Sequence, residues 1–201
     1  MEIKKLVLGR IDNNTYIVSK GKDCFVIDPS MEYNQIIGYI KENGLNVVAI
    51  LITHAHYDHV FSLYELVQDT GAPVYMHGDD LNAYGMAVRR INSEPVEIEN
   101  FIKDGDVLEI LGEKIEVMHF PGHAKGLVAF MMDDTMFCGD FLFKGTTGRT
   151  DLPGSNTAQM KESLIKFSKL TRGNFKILSG HGEDTTFDEE MANNPFLMDL
   201  R

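Results

Sequence analysis

Three of the chain's seven histidines lie within six consecutive residues, and this cluster constrains the fold more than any other feature. The segment at positions 54–59 reads His-Ala-His-Tyr-Asp-His. At the chain's own residue frequencies, we expect roughly 0.0007 chance matches to its H-x-H-x-D-H pattern. The segment directly follows the apolar run at 47–52, which is typical of a strand buried on both faces. Ligand-type side chains are therefore predicted to begin where a buried strand ends.

The overall composition is that of an ordinary globular protein. Of 201 residues, 43% are hydrophobic and 24% are charged, which excludes a collagen, a disordered chain and a disulfide scaffold. The apolar runs are too short to span a bilayer. The net charge of −11 disfavours binding to nucleic acid, because phosphate contacts need cationic side chains. Two cysteines and an N-terminus without signal-peptide character predict a cytoplasmic protein with no membrane partner.

Strand-like and helix-like segments are interspersed along the chain, which predicts a mixed α/β or α+β domain. Short apolar runs predict strands at residues 6–8, 16–18, 24–27, 47–52, 74–76, 107–111, 115–117, 127–132 and 177–178. A polar patch at 12–14 predicts a turn between the first two strands. Apolar residues at helical spacing predict helices around 36–40, 60–67 and 160–167, with Asn156 as the N-cap of the third.

Three later loops place a ligand-type residue directly after a glycine and just past a predicted strand. They contain Gly122-His123, Gly139-Asp140 and Gly180-His181. This recurrence predicts one rim of loops at one end of a sheet or sandwich, where strand ends converge. Neutral imidazole and carboxylate ligands suit zinc, iron and manganese alike. The four loops together offer five histidines and two aspartates, which are enough to hold two ions.

These motifs together resemble the metallo-β-lactamase superfamily and, within it, the glyoxalase II-like branch. The matching segments are T-H-A-H-Y-D-H at 53–59, P-G-H at 121–123, G-D at 139–140 and G-H-G at 180–182, with N-N-T-Y-I-V at 13–18 and I-D-P at 27–29. The segments G-R-T-D-L-P-G at 148–154 and N-P-F at 194–196 resemble short bacterial members. The resemblance covers essentially the whole chain. It implies one domain over residues 1–201, folded as an αββα sandwich with a binuclear metal site.

The resemblance also implies a role for each ligand. It assigns three residues to each metal and one residue to both: His54, His56 and His123 to the first metal, Asp58, His59 and His181 to the second, and Asp140 to the bridge. Two divalent cations, zinc or alternatively iron or manganese, would lower the pKa of a shared water and produce hydroxide near neutral pH. A metal-bridging hydroxide is then the expected nucleophile, with Asp58 and Asp140 as the catalytic carboxylates.

The leading functional hypothesis is thioester hydrolysis of glyoxalase II type, in which an S-D-lactoyl thioester gives D-lactate and a thiol. We expect the protein to lack the C-terminal helical domain that helps two-domain glyoxalase II enzymes hold glutathione, so the thiol carrier and the acyl group stay open. Arg149 is a candidate for contacting a substrate carboxylate, although a salt bridge to Asp151 is an equal alternative. Lys144 and Tyr57 are further candidates for substrate contacts.

Other functions remain as alternatives. Persulfide dioxygenases share the fold and the G-R-T-D loop, and their single iron would use His54, His123 and Asp140. A lactonase or β-lactamase is a second alternative, although classical β-lactamases of this fold usually lack the bridging aspartate. A non-catalytic metal-binding domain is a third. His77 and His119 are expected to be structural, with a positioning role for His119 as the alternative, and the sequence does not indicate an oligomeric state.

Overall fold

Two six-stranded β-sheets pack face to face in the computed structural model, which describes residues 1–200. The strands of the first sheet follow one another in chain order: β1 (Glu2–Leu8), β2 (Asn13–Lys20), β3 (Asp23–Ile27), β4 (Asn46–Leu51), β5 (Val74–His77) and β6 (Asn100–Ile102). Strands β1 to β3 pair antiparallel, whereas β3 to β6 pair parallel.

The second sheet is mostly antiparallel. Its strands are β7 (Val107–Ile110), β8 (Glu113–His119), β9 (Val128–Met132), β10 (Thr135–Gly139), β13 (Lys176–Ser179) and β14 (Thr185–Thr186), in the spatial order β14-β13-β10-β9-β8-β7. Only β10 and β13 pair parallel in this sheet. A small hairpin of β11 (Leu142–Phe143) and β12 (Thr146–Thr147) follows β10.

Helices cover the outer face of each sheet. The first sheet carries α1 (Tyr33–Glu42), α2 (Leu63–Thr70) and α3 (Leu81–Ile91), the last entered through a 3₁₀ turn at Gly78–Asp80. The second sheet carries α4 (Thr157–Ser168), α5 (Phe187–Asn193) and α6 (Pro195–Met198). Residues from both sheets form a third apolar cluster between them, which includes Phe25, Leu51, Val117, Phe130 and Phe137. The layers are therefore helix, sheet, sheet and helix, and the predicted αββα sandwich is confirmed.

The regular elements agree well with the sequence patterns. All nine predicted strands overlap observed strands. The helix predicted at 60–67 begins three residues later, at Leu63, and ends at Thr70. It is capped by Gly71, whose positive φ of 64° suits glycine. The predicted turn at 12–14 is shorter than expected, because Asn13 already belongs to β2 and the amide of Asn14 donates to the carbonyl of Gly180. Asn156 caps α4, as predicted.

Parallel pairing brings distant segments together at one end of the sandwich. In the first sheet Ile27 of β3 pairs with Leu51 of β4, so the residues following the two strands lie side by side. In the second sheet Gly139 of β10 pairs with Ser179 of β13 in the same way. The amide of Val128 donates to the carbonyl of Thr53 and so connects the two sheets at this end.

No helix within residues 1–200 is long and apolar enough to cross a membrane.

Candidate metal centre

The seven predicted ligands meet at one end of the sandwich, each just beyond a strand. The segment at 54–59 follows β4, His123 lies in the loop after β8, Asp140 directly follows β10, and His181 follows β13. The ligand atoms of six of them form two groups, each with all its atoms within 4.8 Å of one another: His54, His56 and His123 in the first, and Asp58, His59 and His181 in the second. Both groups match the sets that the sequence predicts.

Asp140 lies between the two groups. Its Oδ2 is 3.5 Å from Nε2 of His123 in the first group and 3.6 Å from Nε2 of His181 in the second. Its Oδ1 is 3.4 Å from Nε2 of His59. One carboxylate thus faces both sets of ligand atoms, which is the position a bridging residue needs.

Backbone and carboxylate acceptors fix the orientation of three histidine rings. Each ring donates a hydrogen bond from Nδ1: His59 to Oδ2 of Asp28 (2.9 Å), His123 to the carbonyl of Arg149 (2.8 Å) and His181 to the carbonyl of Ile11 (2.9 Å). Because Nδ1 holds the proton, the neutral tautomer leaves the lone pair of Nε2 facing the other ligand atoms. Metal-binding histidines in proteins are usually held in this way.

His54 is oriented through a hydroxyl group. Thr53 Oγ1 donates to Oδ2 of Asp28 at 2.6 Å and lies 3.1 Å from Nδ1 of His54, so it can accept the proton of that nitrogen. Within residues 1–200 neither Nε2 of His54 nor Oδ1 of Asp140 makes a well-aligned hydrogen bond, although both atoms are buried. Buried polar atoms without partners are costly, and a cation is one group that would satisfy them. The donor set therefore fits divalent cations.

Burial keeps two rings of the first group, His54 and His56, neutral. Burial lowers the pKa of His54 well below its ordinary value, and the charge of His59 adds to this effect. Burial likewise lowers the pKa of His56 to about 4, helped by His123. Both rings are therefore neutral at physiological pH, which is the state that binds a metal ion.

The second group is a set of opposed charges. Burial is the largest single effect on Asp58 and Asp140 and would raise the pKa of each. The charge of His59, together with the effects of His181 and the hydrogen bonds to these carboxylates, outweighs burial and lowers both pKa values. Burial opposes protonation of His59 and His181, but the surrounding carboxylates raise both pKa values, chiefly Asp140 for His59 and Asp58 for His181. The carboxylates therefore stabilise a positive charge at this position. A divalent cation would supply that charge after His59 and His181 have each lost the proton on Nε2.

Two glycines allow the loops to approach the centre. A Cβ atom on Gly180 would overlap Oδ1 of Asp140 and lie 2.7 Å from a ring carbon of His59. A Cβ atom on Gly139 would overlap the hydroxyl of Thr53, and its φ of 51° also favours glycine. The glycines before Asp140 and His181 are therefore required by close packing around the ligands.

Three residues that support the ligands were not singled out by the sequence. Asp28 accepts hydrogen bonds from His59 and Thr53, as described above. Asp80, fully buried, accepts from the amides of Ala55 (2.8 Å) and Gly126 (2.6 Å) and so fixes the ligand loop. Asn13 Nδ2 lies 3.1 Å from Oδ2 of Asp58. Asp28 and Asn13 lie in motifs that carry the family resemblance, but the residues to which they bond are tens of positions away in the chain. Asp80 lies in none of these motifs.

A cavity of about 480 Å³ opens beside the ligands. Four of the predicted ligands line it: His56, Asp58, His123 and Asp140. Its other walls come from α3, which contributes Met86, Ala87 and Arg90, and from Ile11, Tyr57, Arg149 and Leu152. A second cavity of about 840 Å³ reaches the ligands only at His56 and extends toward His119 and Lys125.

The three predicted substrate contacts occupy different places. Tyr57 and Arg149 line the 480 Å³ cavity, but the guanidinium of Arg149 pairs with Asp151 through two contacts of 2.6 and 2.7 Å. The salt bridge named as its alternative is therefore present. Lys144 pairs with Glu183 at 3.0 Å and lies in a separate cavity beside His181.

His77 and His119 lie outside the ligand groups. Their rings stack with centroids 4.3 Å apart and planes 11° apart. Nε2 of His119 donates to the carbonyl of Lys125 at 2.8 Å, and Nδ1 of His77 accepts from the amide of Asp79. Cys138 is fully buried, as expected for a small apolar side chain.

Comparison with known proteins shows the family and the fold. The model of the metallo-beta-lactamase superfamily matches residues 8–181. The probable metallo-hydrolase YqgX of Bacillus subtilis is 34% identical, over 98% of each chain. The hydroxyacylglutathione hydrolase GloC of Haemophilus influenzae is 29% identical, over 92% of each chain.

Two solved structures have nearly the same fold. The B3 metallo-beta-lactamase BLEG-1 superposes with a TM-score of 0.89 and 29% identity, covering 98% of this chain and 99% of that one. TTHA1623, crystallised in a di-iron-bound form, superposes with a TM-score of 0.84 and 34% identity, covering 96% of this chain and 100% of that one. The fold, the ligand groups and these similarities together show that the chain belongs to the metallo-beta-lactamase superfamily.

Proposed function

We propose that this chain is a binuclear metal-dependent hydrolase that cleaves an acyl thioester into a carboxylic acid and a free thiol, as glyoxalase II does. The position of Asp140 between two complete groups of ligand atoms carries the proposal, because a single-metal enzyme would have no need of the second group. The similarity to GloC, a hydroxyacylglutathione hydrolase, supports the thioester as substrate. The di-iron form of TTHA1623 supports two metals and makes iron a candidate beside zinc.

The proposed ligand sets are those of the two groups, with Asp140 facing both. Divalent cations bound there would supply hydroxide near neutral pH and would polarise the thioester carbonyl. His54 and His56 are neutral and need not lose a proton before they bind. The hydrogen bonds from Nδ1 of His59, His123 and His181 hold the three rings in the tautomer that binds through Nε2.

Asp58 is the residue best placed to handle a proton. Its carboxylate lines the cavity, and its pKa is lowered, so it is ionised at neutral pH. The amide of Asn13 donates to Oδ2 at 3.1 Å and fixes the orientation of the group. An ionised, oriented carboxylate at the cavity wall can accept a hydrogen bond from the attacking water and direct its lone pair toward the substrate.

β-Lactam hydrolysis is the second candidate, and the close superposition on BLEG-1 favours it. A lactam carbonyl would need the same polarisation and the same nucleophile as a thioester carbonyl. The full ligand set, with Asp140, leads us to rank the thioester first. The two substrates can be compared directly in one experiment.

The test is hydrolysis of S-D-lactoylglutathione by protein reconstituted separately with zinc, iron and manganese. We expect metal-dependent release of free thiol, measured with a chromogenic thiol reagent. The His56→Ala variant should lose this activity, whereas His77→Ala, which removes a histidine outside the centre, should retain it. A chromogenic cephalosporin is assayed in parallel. Hydrolysis of the cephalosporin alone would overturn the thioester proposal in favour of the second candidate.

A further inference from the structure

The cavity beside the ligand groups contains a second guanidinium that no sequence pattern indicated. It belongs to Arg90, in the last turn of α3, on the wall formed by Met86 and Ala87. The same cavity exposes Asp58 and Asp140 of the ligand groups, so a molecule filling it would touch both the centre and Arg90. The larger cavity reaches the centre only at His56, which makes it a less complete binding site.

Arg90 is not neutralised, in contrast to the other arginine of this cavity. Arg149 is held by a two-point ion pair with Asp151. Within residues 1–200 no carboxylate pairs with Arg90, and its guanidinium carbon lies 3.9 Å from the centroid of the ring of Tyr57. The net charge of −11 means that carboxylates outnumber cationic side chains, so an arginine at a cavity wall without a carboxylate partner is unexpected.

The contact with Tyr57 orients the guanidinium. A guanidinium held over an aromatic ring keeps the N–H donors that point away from the ring free. Tyr57 lies between His56 and Asp58 in the chain, so Arg90 contacts the same segment, 54–59, that carries four of the candidate ligands. Two N–H groups of a guanidinium held in this way can donate to the two oxygens of one carboxylate.

We propose that Arg90, positioned by Tyr57, binds a carboxylate of the substrate, so that the enzyme selects anionic thioesters over neutral ones. The inference rests on the proposed thioester hydrolase activity and adds its substrate class. The carboxylate can come from the thiol carrier or from the acyl group, and both place a negative charge on the ligand. The acidic surface would otherwise repel such a substrate, which gives one local cation a large influence on specificity.

The kinetic test uses three thioesters: S-D-lactoylglutathione, with its carboxylates on the thiol; a succinyl thioester of N-acetylcysteamine, with its carboxylate on the acyl group; and the neutral lactoyl thioester of N-acetylcysteamine. Arg90→Gln should raise KM about tenfold for one or both anionic substrates and leave kcat and the neutral substrate unchanged. Which anionic substrate responds identifies the source of the carboxylate. Arg90→Lys should restore part of the affinity.

Arg89→Gln is the matched control, because Arg89 is the neighbouring exposed arginine of α3 and does not line the cavity. It removes the same overall charge from the same helix and should leave all KM values unchanged. Equal KM changes in the two variants would reveal an effect of overall charge and overturn the proposal. Equal KM changes for anionic and neutral thioesters in Arg90→Gln would also overturn it.

A binding measurement separates this proposal from the hydrolase itself. S-Propylglutathione, a thioether that cannot be hydrolysed, and its diethyl ester are titrated calorimetrically into the metal-loaded wild-type protein and both variants. Tighter binding of the free acid than of the ester, lost in Arg90→Gln and kept in Arg89→Gln, would support the carboxylate site even if no thioester were hydrolysed. Equal affinities of acid and ester, together with unchanged KM values for the succinyl thioester, would overturn it.

Discussion

The ring of His59 donates from Nδ1 to Oδ2 of Asp28 at 2.9 Å, and both side chains are buried. The same oxygen accepts from the hydroxyl of Thr53, and Oδ1 accepts from the Thr53 amide at 2.8 Å. In Asp28→Asn an NH₂ group must replace one of these acceptors. We therefore expect roughly 10- to 100-fold weaker cation binding, since the support for two histidines is lost. Competition with a chromophoric chelator measures this affinity.

Asp23→Asn is the control for this prediction. Asp23 lies at the other end of β3, is exposed, and its carboxylate accepts a hydrogen bond from the side chain of Asn46. The variant should bind cations as the wild type does. Unchanged affinity in Asp28→Asn would show that the ring of His59 does not depend on this carboxylate for its orientation.

The position of Asp140 predicts a joint loss of metal and activity. Asp140→Ala removes the only side chain among the predicted ligands that faces both groups, so at least one cation should be lost and hydrolysis abolished. Metal content is measured by mass spectrometry, and circular dichroism checks that the variant is folded. Asp134→Ala, in the turn before β10, should keep both metal and activity. Full metal content with unchanged turnover in Asp140→Ala would contradict the two-metal proposal.

Close packing at Gly180 predicts an effect from a single added methyl group. Gly180→Ala would place Cβ against the carboxylate of Asp140 and the ring of His59, so one of them must move. We expect loss of cation affinity and of hydrolysis in a protein that still folds. In contrast, Gly38→Ala in α1 meets no atom within 4 Å and should stabilise the helix by about 1 kcal/mol. Wild-type metal binding in Gly180→Ala would refute this account of the glycine.

The clustering of the seven candidate ligands could be predicted from the sequence because their signals are local. The segment at 54–59 carries four ligand-type residues together, and the remaining three each follow a glycine at a strand end. Strands such as β4 were predicted because apolar residues are contiguous along them. Local patterns of this kind determine where an element ends and which residues follow it.

The supporting residues could not be predicted, because their partners are distant in the chain. Asp28 bonds to Thr53 and His59, 25 and 31 residues away, and only the parallel pairing of β3 with β4 brings them together. Helix α3 was missed although Tyr84, Ala87 and Val88 have helical spacing, since Gly85 and flanking polar residues weaken the pattern. Because α3 was not predicted, no sequence pattern placed Arg90 in the cavity.

Asn156 offers a test of local stability. Its side-chain oxygen accepts from the amides of Ala158 (2.9 Å) and Gln159 (3.1 Å), which otherwise lack partners at the start of α4. Asn156→Ala should lower the free energy of unfolding by about 1 kcal/mol, measured by urea denaturation. Asn156→Asp keeps an acceptor and should cost little. Equal losses in both variants would show that the carboxamide stabilises the protein in some other way.

Both cysteines are buried, and this predicts how stability depends on pH. Burial raises the pKa of Cys24 and of Cys138 to about 12, whereas an unfolded thiol titrates near 8.5. The folded state therefore keeps protons that the unfolded state releases above that pH. The contribution of each thiol to the free energy of unfolding is fully present below about pH 8.5. It is lost as the pH rises toward 12, by at most about 1.4 kcal/mol per pH unit.

The measurement compares urea unfolding of the wild type with that of the Cys24→Ala, Cys138→Ala double variant between pH 8 and 10.5. Other groups titrate in this range, but they are common to both proteins, so the difference in slope belongs to the thiols. We expect the stability of the wild type to fall more steeply with pH than that of the double variant. Parallel curves of stability against pH for the two proteins would mean that the thiols ionise in the folded protein. Rapid labelling of the native protein by a thiol reagent at pH 8 would lead to the same conclusion.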